Sequence, residues 1–156
     1  MTGDHTLRPI AQTAATEVLA TFSPDGKTVA FGSSEAGQGE RTVFVQPFPG
    51  PGLRTPVSRG GGSYPVWRAD GKELFYLAND GVLDGMLMAV SMASNGQFEG
   101  AEPQALFRPN GSRFFAGQIY SVSRDGQRIL APGRPNSQHL APITVVVNWP
   151  ATIGNP

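Results

Sequence analysis

The chain has 156 residues, with 12 basic and 12 acidic side chains and no formal net charge at neutral pH. Because neither half carries a basic patch, we expect no nucleic-acid partner and no binding to an acidic membrane surface. The absence of cysteine excludes a disulfide framework and a thiolate metal site, and no apolar stretch reaches the roughly 18–20 residues of a membrane helix, so we expect no direct membrane insertion.

A short sequence motif built around an Asp-Gly pair occurs three times. It reads FSPDGKTVAF at 22–31, WRADGKELFY at 67–76 and, more weakly, VSRDGQRIL at 122–130. The Asp-Gly pairs begin at residues 25, 70 and 125, a spacing close to the roughly 40–50 residues of one β-propeller blade, which is a four-stranded sheet. We therefore predict an all-β fold of about three four-stranded antiparallel blades, either a partial propeller or half of a six-bladed ring.

The first full blade is predicted over residues 14–58. Its Asp25-Gly26 pair predicts a tight hairpin turn, since glycine supplies the positive φ that such turns need. Residues 6–13, which precede this blade, resemble an outer strand, and Pro9 is acceptable there because an edge strand tolerates a missing N–H. The strands predicted for the first blade are Val18–Ser23, Thr28–Ser33, Arg41–Phe48 and Arg54–Ser58.

The second and third blades are predicted over residues 59–108 and 109–149. The third lacks an outer strand, and residues 150–156 are expected to be a tail. For the second blade the predicted strands are Tyr64–Arg68, Glu73–Ala78, Gly85–Met92 and Ala105–Arg108. For the third they are Gln118–Ser123, Gln127–Ala131 and Ile143–Trp149, the last a β-branched run typical of a buried strand.

Three blades do not close a ring, because propellers have at least four. Two copies could pair as a homodimer into a six-bladed ring, in which each N-terminal strand completes the partner's last blade. Alternatively, the chain is a piece of a longer propeller, or an open array of three sheets. The sequence leaves these arrangements open.

The Ser23–Lys27 phrase, followed by an apolar strand, resembles the PD40 (TolB-like, WD40-like) β-propeller repeat. The stretches 45–52 and 57–76 look more specifically like the C-terminal propeller of bacterial eukaryotic-like serine/threonine protein kinases, and the resemblance covers about residues 6–153. It implies an accessory region that senses signals or binds partners, often outside the membrane. The kinase's own Gly-x-Gly-x-x-Gly, His-Arg-Asp and Asp-Phe-Gly motifs are absent from the sequence.

These observations predict a non-catalytic protein-interaction or sensor module, not an enzyme, with a protein or peptide partner and no cofactor. Propellers of this type also accompany serine peptidases of the prolyl oligopeptidase group, so an accessory segment of a serine hydrolase is the alternative function. The string around Ser63, however, lacks the final glycine of the Gly-x-Ser-x-Gly elbow. Without a signal peptide the chain as written would be cytoplasmic, whereas membership of a membrane kinase would place it outside.

No metal site is expected. The two histidines, His5 and His139, have no acidic neighbour at ligand spacing. The recurring Asp25, Asp70 and Asp125 lack the Asp-x-Asp-x-Asp-Gly calcium pattern. An aspartate followed by glycine is ordinary turn chemistry, so we assign these three a structural role.

Binding is expected instead in the connections that join one blade's outer strand to the next blade's inner strand. In a propeller these loops gather around the mouth of the central channel, and loops on a rigid scaffold often carry binding residues. The connections are 14–17, 59–64 and 109–117. The side chains there most suited to a partner are Arg59, Tyr64, Arg113, Phe114 and Phe115. The alternative role for the aromatic residues is packing between blades, which we also expect for Trp67 and Trp149.

Overall fold

The computed structural model describes residue 10 and residues 13–35, 41–50, 52–93, 96–109, 120–132 and 143–147. Eleven β-strands lie in these ranges, where they form three antiparallel sheets with no helix among them. Accordingly, this part of the chain holds no helix able to span a bilayer. The all-β fold of antiparallel blades predicted from the repeat is confirmed.

The three sheets follow the chain order of the three repeats, and we call them blades 1, 2 and 3. Blade 1 consists of β1 (Glu17–Phe22), β2 (Thr28–Ser33), β3 (Thr42–Pro47) and β4 (Thr55–Pro56). Blade 2 consists of β5 (Gly62–Trp67), β6 (Glu73–Ala78), β7 (Leu87–Ser91) and β8 (Gln104–Phe107). Blade 3 contains β9 (Ser121–Val122), β10 (Arg128–Pro132) and β11 (Ile143–Val147).

Only β2 and β6 have the predicted limits, and two of the differences in the other strands have a clear cause. β5 begins at Gly62, earlier than predicted, because Gly62 and Ser63 already pair with β6. β4 is only two residues long, because the amides of Val57 and Ser58 both point at the carbonyl oxygen of Val43, at 2.8 and 3.4 Å, and the regular ladder ends there. The predicted outer strand over 6–13, the tail over 150–156 and Trp149 lie outside the described residues, apart from Ile10 and Thr13.

Alternate side chains of each middle strand point to opposite faces of its blade. We call the face toward the next blade in the chain the forward face and the opposite one the backward face. Ala30 on the forward face of blade 1 packs with Trp67, Leu74 and Tyr76 on the backward face of blade 2. Trp67 therefore packs between blades, as predicted.

The contact between blades 2 and 3 repeats this arrangement. Phe75 and Leu77 on the forward face of blade 2 pack with Ile129 and Ala131 on the backward face of blade 3. The core of the described chain therefore consists of two apolar layers, each lying between neighbouring sheets.

The inner strands of blades 1 and 2 carry the same irregularity. Their register shifts between Val18 and Thr21 in β1 and between Ser63 and Val66 in β5. Leu19 and Tyr64 lie inside these bulges with a φ of 58°, which is rare for bulky residues. Both residues stand six positions before the aspartate of their repeat. The bulge is therefore a property of the repeat and is no evidence, by itself, of a ligand site.

The repeated turns are held by one set of local hydrogen bonds. In blade 1 the hydroxyl of Ser23 donates to Oδ1 of Asp25 at 2.6 Å, and the same oxygen of Asp25 accepts the amide of Lys27 at 3.1 Å. The hydroxyl oxygen of Ser23 also accepts the amide of Thr28 at 2.9 Å. The hydrogen bonds from Ser23 and from the amide of Lys27 lower the pKa of Asp25, and the bond from Ser23 has the larger effect.

Blade 3 repeats these bonds through Ser123 and Asp125, with lengths of 2.5, 3.0 and 2.9 Å. The pKa of Asp125 is lowered in the same way, first by the bond from Ser123. The aspartates of these two repeats are thus occupied by the turn itself, in agreement with the structural role predicted for them.

Blade 2 has Arg68 where the other two have serine. Its guanidinium forms a bidentate ion pair with Asp70, with Nε to Oδ1 at 2.7 Å and Nη2 to Oδ2 at 2.8 Å. Its Nη1 also donates to Oε2 of Glu73 at 2.7 Å. Arg68 thereby holds the pKa of Asp70 down at about 2, whereas burial raises that of Glu73. A Cβ on Gly126 of blade 3 would lie 2.4 Å from Cδ of Arg68, so the turns of blades 2 and 3 touch through this side chain.

Candidate interaction surface

The connection from β4 to β5 carries Arg59, the first predicted binding residue, whereas Tyr64, which was predicted in the same connection, lies within β5. The loop between them contains Gly60 and Gly61, whose φ angles are 71° and 113°. A Cβ on Gly60 would stand 2.6 Å from Oδ2 of Asp80, and one on Gly61 would stand 3.3 Å from the carbonyl oxygen of Arg41. Only glycine allows the loop to lie this close to its neighbours.

Neighbouring loops fix the backbone of this connection. The amide of Gly62 donates to the carbonyl of Arg41 at 2.6 Å. The hydroxyl of Ser63 donates to Oδ1 of Asn79 at 3.2 Å. Arg41 precedes β3 and Asn79 follows β6, so the connections between middle strands and the connection between blades meet at one end of the sheets. We call this end the connection end.

Arg59 forms an ion pair that sequence reasoning missed. Its Nη1 lies 2.5 Å from Oε1 of Glu102, and 63% and 72% of the two side chains are exposed. An exposed pair of this kind stabilises a fold by about 0–1 kcal/mol. The pair therefore contributes little to stability, and both side chains are accessible to a partner.

The guanidinium of Arg59 is directed toward the outer strand of blade 2, because Glu102 lies just before β8. Tyr64 instead belongs to an inner strand and packs with the core between blades 2 and 3. Its carbonyl oxygen accepts a hydrogen bond of 2.8 Å from the hydroxyl of Tyr120. The structure thus gives Tyr64 a packing role between blades, whereas the guanidinium of Arg59 pairs with Glu102.

The other predicted binding residues, Arg113, Phe114 and Phe115, lie outside the described residues, so their part in binding stays a prediction. The same holds for His5 and His139. Within the described ranges, no three His, Cys, Asp or Glu side chains are grouped as metal ligands would be.

Ser63 and Tyr76, two hydroxyl groups near this end, are largely buried. Only 4% of Ser63 is accessible, and its bond to Asn79 accounts for its hydroxyl. Burial raises the pKa of Tyr76 to about 12, although the backbone amide of Arg59 donates to its oxygen and counteracts part of that effect. Tyr76 is therefore neutral at physiological pH and acts as a fixed neighbour of the Arg59 backbone.

Two more exposed residues lie at the connection end. Val82, at the tip of the loop between β6 and β7, is almost fully exposed. Its carbonyl accepts a 2.9 Å hydrogen bond from Nη2 of Arg108, which follows β8 and is itself exposed. The Asn79-Asp80-Gly81 string identified this segment as a turn, but no sequence signal indicated that Val82 would stand beside Arg108. We refer to Arg59, Val82 and Arg108 as the connection-end surface. Glu102 precedes β8 and lies toward the other end of that strand, because Gln104 pairs with Ala89 whereas Phe107 pairs with Leu87.

No family model matches this chain, and no curated protein matches its sequence. Among solved structures, it is similar to TolB from Acinetobacter baumannii, with a TM-score of 0.61 and 17% identity over 83% of this chain and 29% of TolB.

Two oligogalacturonate lyases also resemble it. One, solved in complex with manganese, gives a TM-score of 0.66 and 16% identity over 95% of this chain and 39% of the lyase. The other, from Vibrio parahaemolyticus, gives 0.55 and 16% over 78% of this chain and 31% of the lyase.

These likenesses show that the sheets of this chain have the β-propeller fold. At such identities they carry no activity over to this chain. The chain spans less than two fifths of the length of each of these three neighbours.

Proposed function

We propose that this chain is a non-catalytic protein-interaction or sensor module on a TolB-like propeller scaffold, related to the sensor region of a bacterial serine/threonine kinase. In this proposal it binds a protein or peptide through the connection-end surface, and no bond is made or broken. The propeller-fold neighbours support the scaffold. The kinase relation is supported by the resemblance of residues 45–52 and 57–76 to kinase propellers.

The observation that carries the proposal is the placement of Arg59. Its guanidinium is exposed and paired with Glu102. The loop that follows it packs closely against Asp80 and Arg41 through Gly60 and Gly61. Arginine is enriched among the residues that dominate binding energy, and a loop already held in one conformation loses less entropy when a partner binds. Exposed Val82 adds an apolar contact on the same end of blade 2.

Selection of a displayed random-peptide library on the purified chain tests this function, with affinities of the enriched peptides then measured by calorimetry. We expect Arg59→Ala to weaken binding at least about tenfold, roughly 1.4 kcal/mol. Lys72→Ala removes the same charge beside the Asp70 turn, at the opposite end of blade 2, and should leave the affinity unchanged. Failure to enrich any peptide, or equal losses in both variants, would contradict the proposed surface.

The kinase relation is tested separately by the coding sequence that adjoins this one. We expect His-Arg-Asp and Asp-Phe-Gly motifs there. A Gly-x-Ser-x-Gly elbow in that position would instead favour the accessory segment of a serine hydrolase.

A further inference from the structure

The ion pair of Arg59 shows which chemical group this side chain binds. In the described part of the chain, its guanidinium contacts the carboxylate of Glu102 through one nitrogen, Nη1, at 2.5 Å. Arg68 instead holds Asp70 through two nitrogens, and only 20% of its side chain is exposed, against 63% for Arg59. Since a guanidinium carries five N–H donors, Arg59 keeps donors for the carboxylate of a partner.

Glu102 can be displaced from Arg59 at little cost to the fold. Its side chain is 72% exposed, and exposed ion pairs contribute little to stability. A bidentate contact between arginine and a carboxylate is stronger than a contact through one nitrogen. A carboxylate that binds Arg59 in the bidentate manner would therefore replace Glu102, which acts as a competitor within the chain.

A second arginine follows β8. Arg108 is exposed and uses Nη2 to bind the carbonyl oxygen of Val82, so it also keeps donors for a partner. In the loop that carries Val82, the carboxylates of Asp80 and Asp84 are half-buried, and Asp80 accepts the amide of Leu83 at 3.1 Å. The exposed charges of the connection-end surface are thus both positive.

Strand β8 sets the distance between the two arginine sites. Glu102, which Arg59 contacts, precedes β8, and Arg108 follows it, six residues later. At about 3.3 Å per residue, residues 102 and 108 are at most about 20 Å apart. β8 is the outer strand of blade 2, and its residues Gln104 and Ala105 are exposed. An extended peptide can therefore lie along this edge and reach both sites.

We propose that the partner of the connection-end surface is an extended acidic peptide. One of its carboxylates displaces Glu102 from Arg59, and a second, about six residues away, binds Arg108. The partner's charge follows from that of the two exposed arginines, and an apolar residue beside the second carboxylate contacts Val82. This inference rests on the proposed function and names the class of partner for the same surface.

The first test is the composition of the peptides that the purified chain enriches from the displayed random library. We expect Asp and Glu in excess over Lys and Arg, at two positions about six residues apart. The affinity of one enriched peptide is then measured by calorimetry at an ionic strength of about 0.15 M. Replacing its two acidic residues by their amides should weaken binding at least about tenfold.

The second test removes the competitor. Glu102→Gln should raise the affinity for this peptide about two- to fivefold, the range of one exposed ion pair. Glu99→Gln is the matched control, because it removes the same charge from an exposed side chain of the same loop but leaves the pair of Arg59 intact. Since charges more than about 8 Å apart are screened at this ionic strength, the control should change the affinity less than about twofold. Thermal melting confirms that both variants fold.

The third test concerns the second arginine. Arg108→Ala should weaken binding of the same peptide about three- to fivefold, because one exposed ion pair is lost. Arg124→Ala removes the same charge from the exposed turn of blade 3 and should leave the affinity unchanged.

Acidic peptides whose affinity rises with Glu102→Gln and falls with Arg108→Ala support the inference. Enriched peptides that depend on Arg59 but carry no excess of acidic residues would overturn it and leave the proposed function standing. An affinity that Glu102→Gln lowers or leaves unchanged would overturn it in the same way. If no peptide is enriched, the proposed function is contradicted, and this inference with it.

Discussion

The hydroxyl of Tyr120 donates a hydrogen bond of 2.8 Å to the carbonyl oxygen of Tyr64, 56 residues earlier in the chain. Tyr64 is the positive-φ residue of the bulge in β5. Tyr120 is buried, and this burial raises the pKa of its hydroxyl well above the usual value. The neutral hydroxyl of Tyr120 in blade 3 thus holds the bulge of β5 in blade 2 by a hydrogen bond.

Tyr120→Phe should destabilise the protein by about 1–2 kcal/mol, because it retains the ring but removes a hydrogen bond made in a buried environment. The measurement is urea unfolding followed by circular dichroism, in which the midpoint should fall while the slope stays unchanged. An unaltered midpoint would show that the bond contributes nothing net to the stability of the bulge.

Gly126→Ala should lower the stability of the protein more than Gly26→Ala does, although each glycine belongs to an Asp-Gly turn and has a φ near 70°. Alanine at residue 26 meets nothing within 4 Å, so only backbone strain of about 1 kcal/mol is expected. At residue 126 the new Cβ would also collide with Arg68, which is held by Asp70 and Glu73 and cannot move freely. Thermal melting of the two variants compares them; equal shifts would mean that Arg68 swings away without cost.

Ser23→Ala should cost about 1–3 kcal/mol, since it removes the acceptor of the Thr28 amide and the donor to Asp25 in a buried turn. Ser123→Ala removes the same two bonds in blade 3, where the serine is only half-buried. Because water can replace these two hydrogen bonds at Ser123, the loss of stability should be smaller there. Chemical unfolding of both variants tests this order, and a larger loss for Ser123→Ala would refute it.

Acid should weaken the turn of blade 2 within a defined range. The folded pKa of Asp70 is about 2, below its ordinary 3.8, so its ionised form stabilises the fold fully above pH 4. This contribution is lost as the pH falls from about 4 to 2, because the unfolded chain takes up the proton first. The exposure of Asp70 limits its size.

The measurement is the melting temperature of wild type and Asp70→Asn across this pH range. We expect the two to differ above pH 4 and to converge near pH 2. Glu73, whose pKa is raised by burial, acts in the opposite direction but is common to both proteins. A constant difference between them at every pH would contradict the assignment.

Much of the blade architecture could be predicted because its signals are local. The bonds of Ser23, Asp25 and Thr28 span at most five residues, so the same short phrase folds into the same turn wherever it recurs. The alternation on either side of each turn then indicated the strands, and β2 and β6 have the predicted limits. The candidate surface was harder to predict: Arg59 was identified by residue type and loop position, but its partner Glu102 is 43 residues away.

By itself, the sequence determined the number and order of the repeats, their Asp-Gly turns and the need for glycine at residues such as 26, because these depend on backbone conformation over a few residues. Only the tertiary structure decided which faces stack, that Leu130 and Phe22 are left on outer faces, and that Tyr120 reaches Tyr64. Those relations depend on how three twisted sheets lie against one another. Strand alternation predicts which residues share a face of each blade, but packing between blades decides which of the two faces is covered.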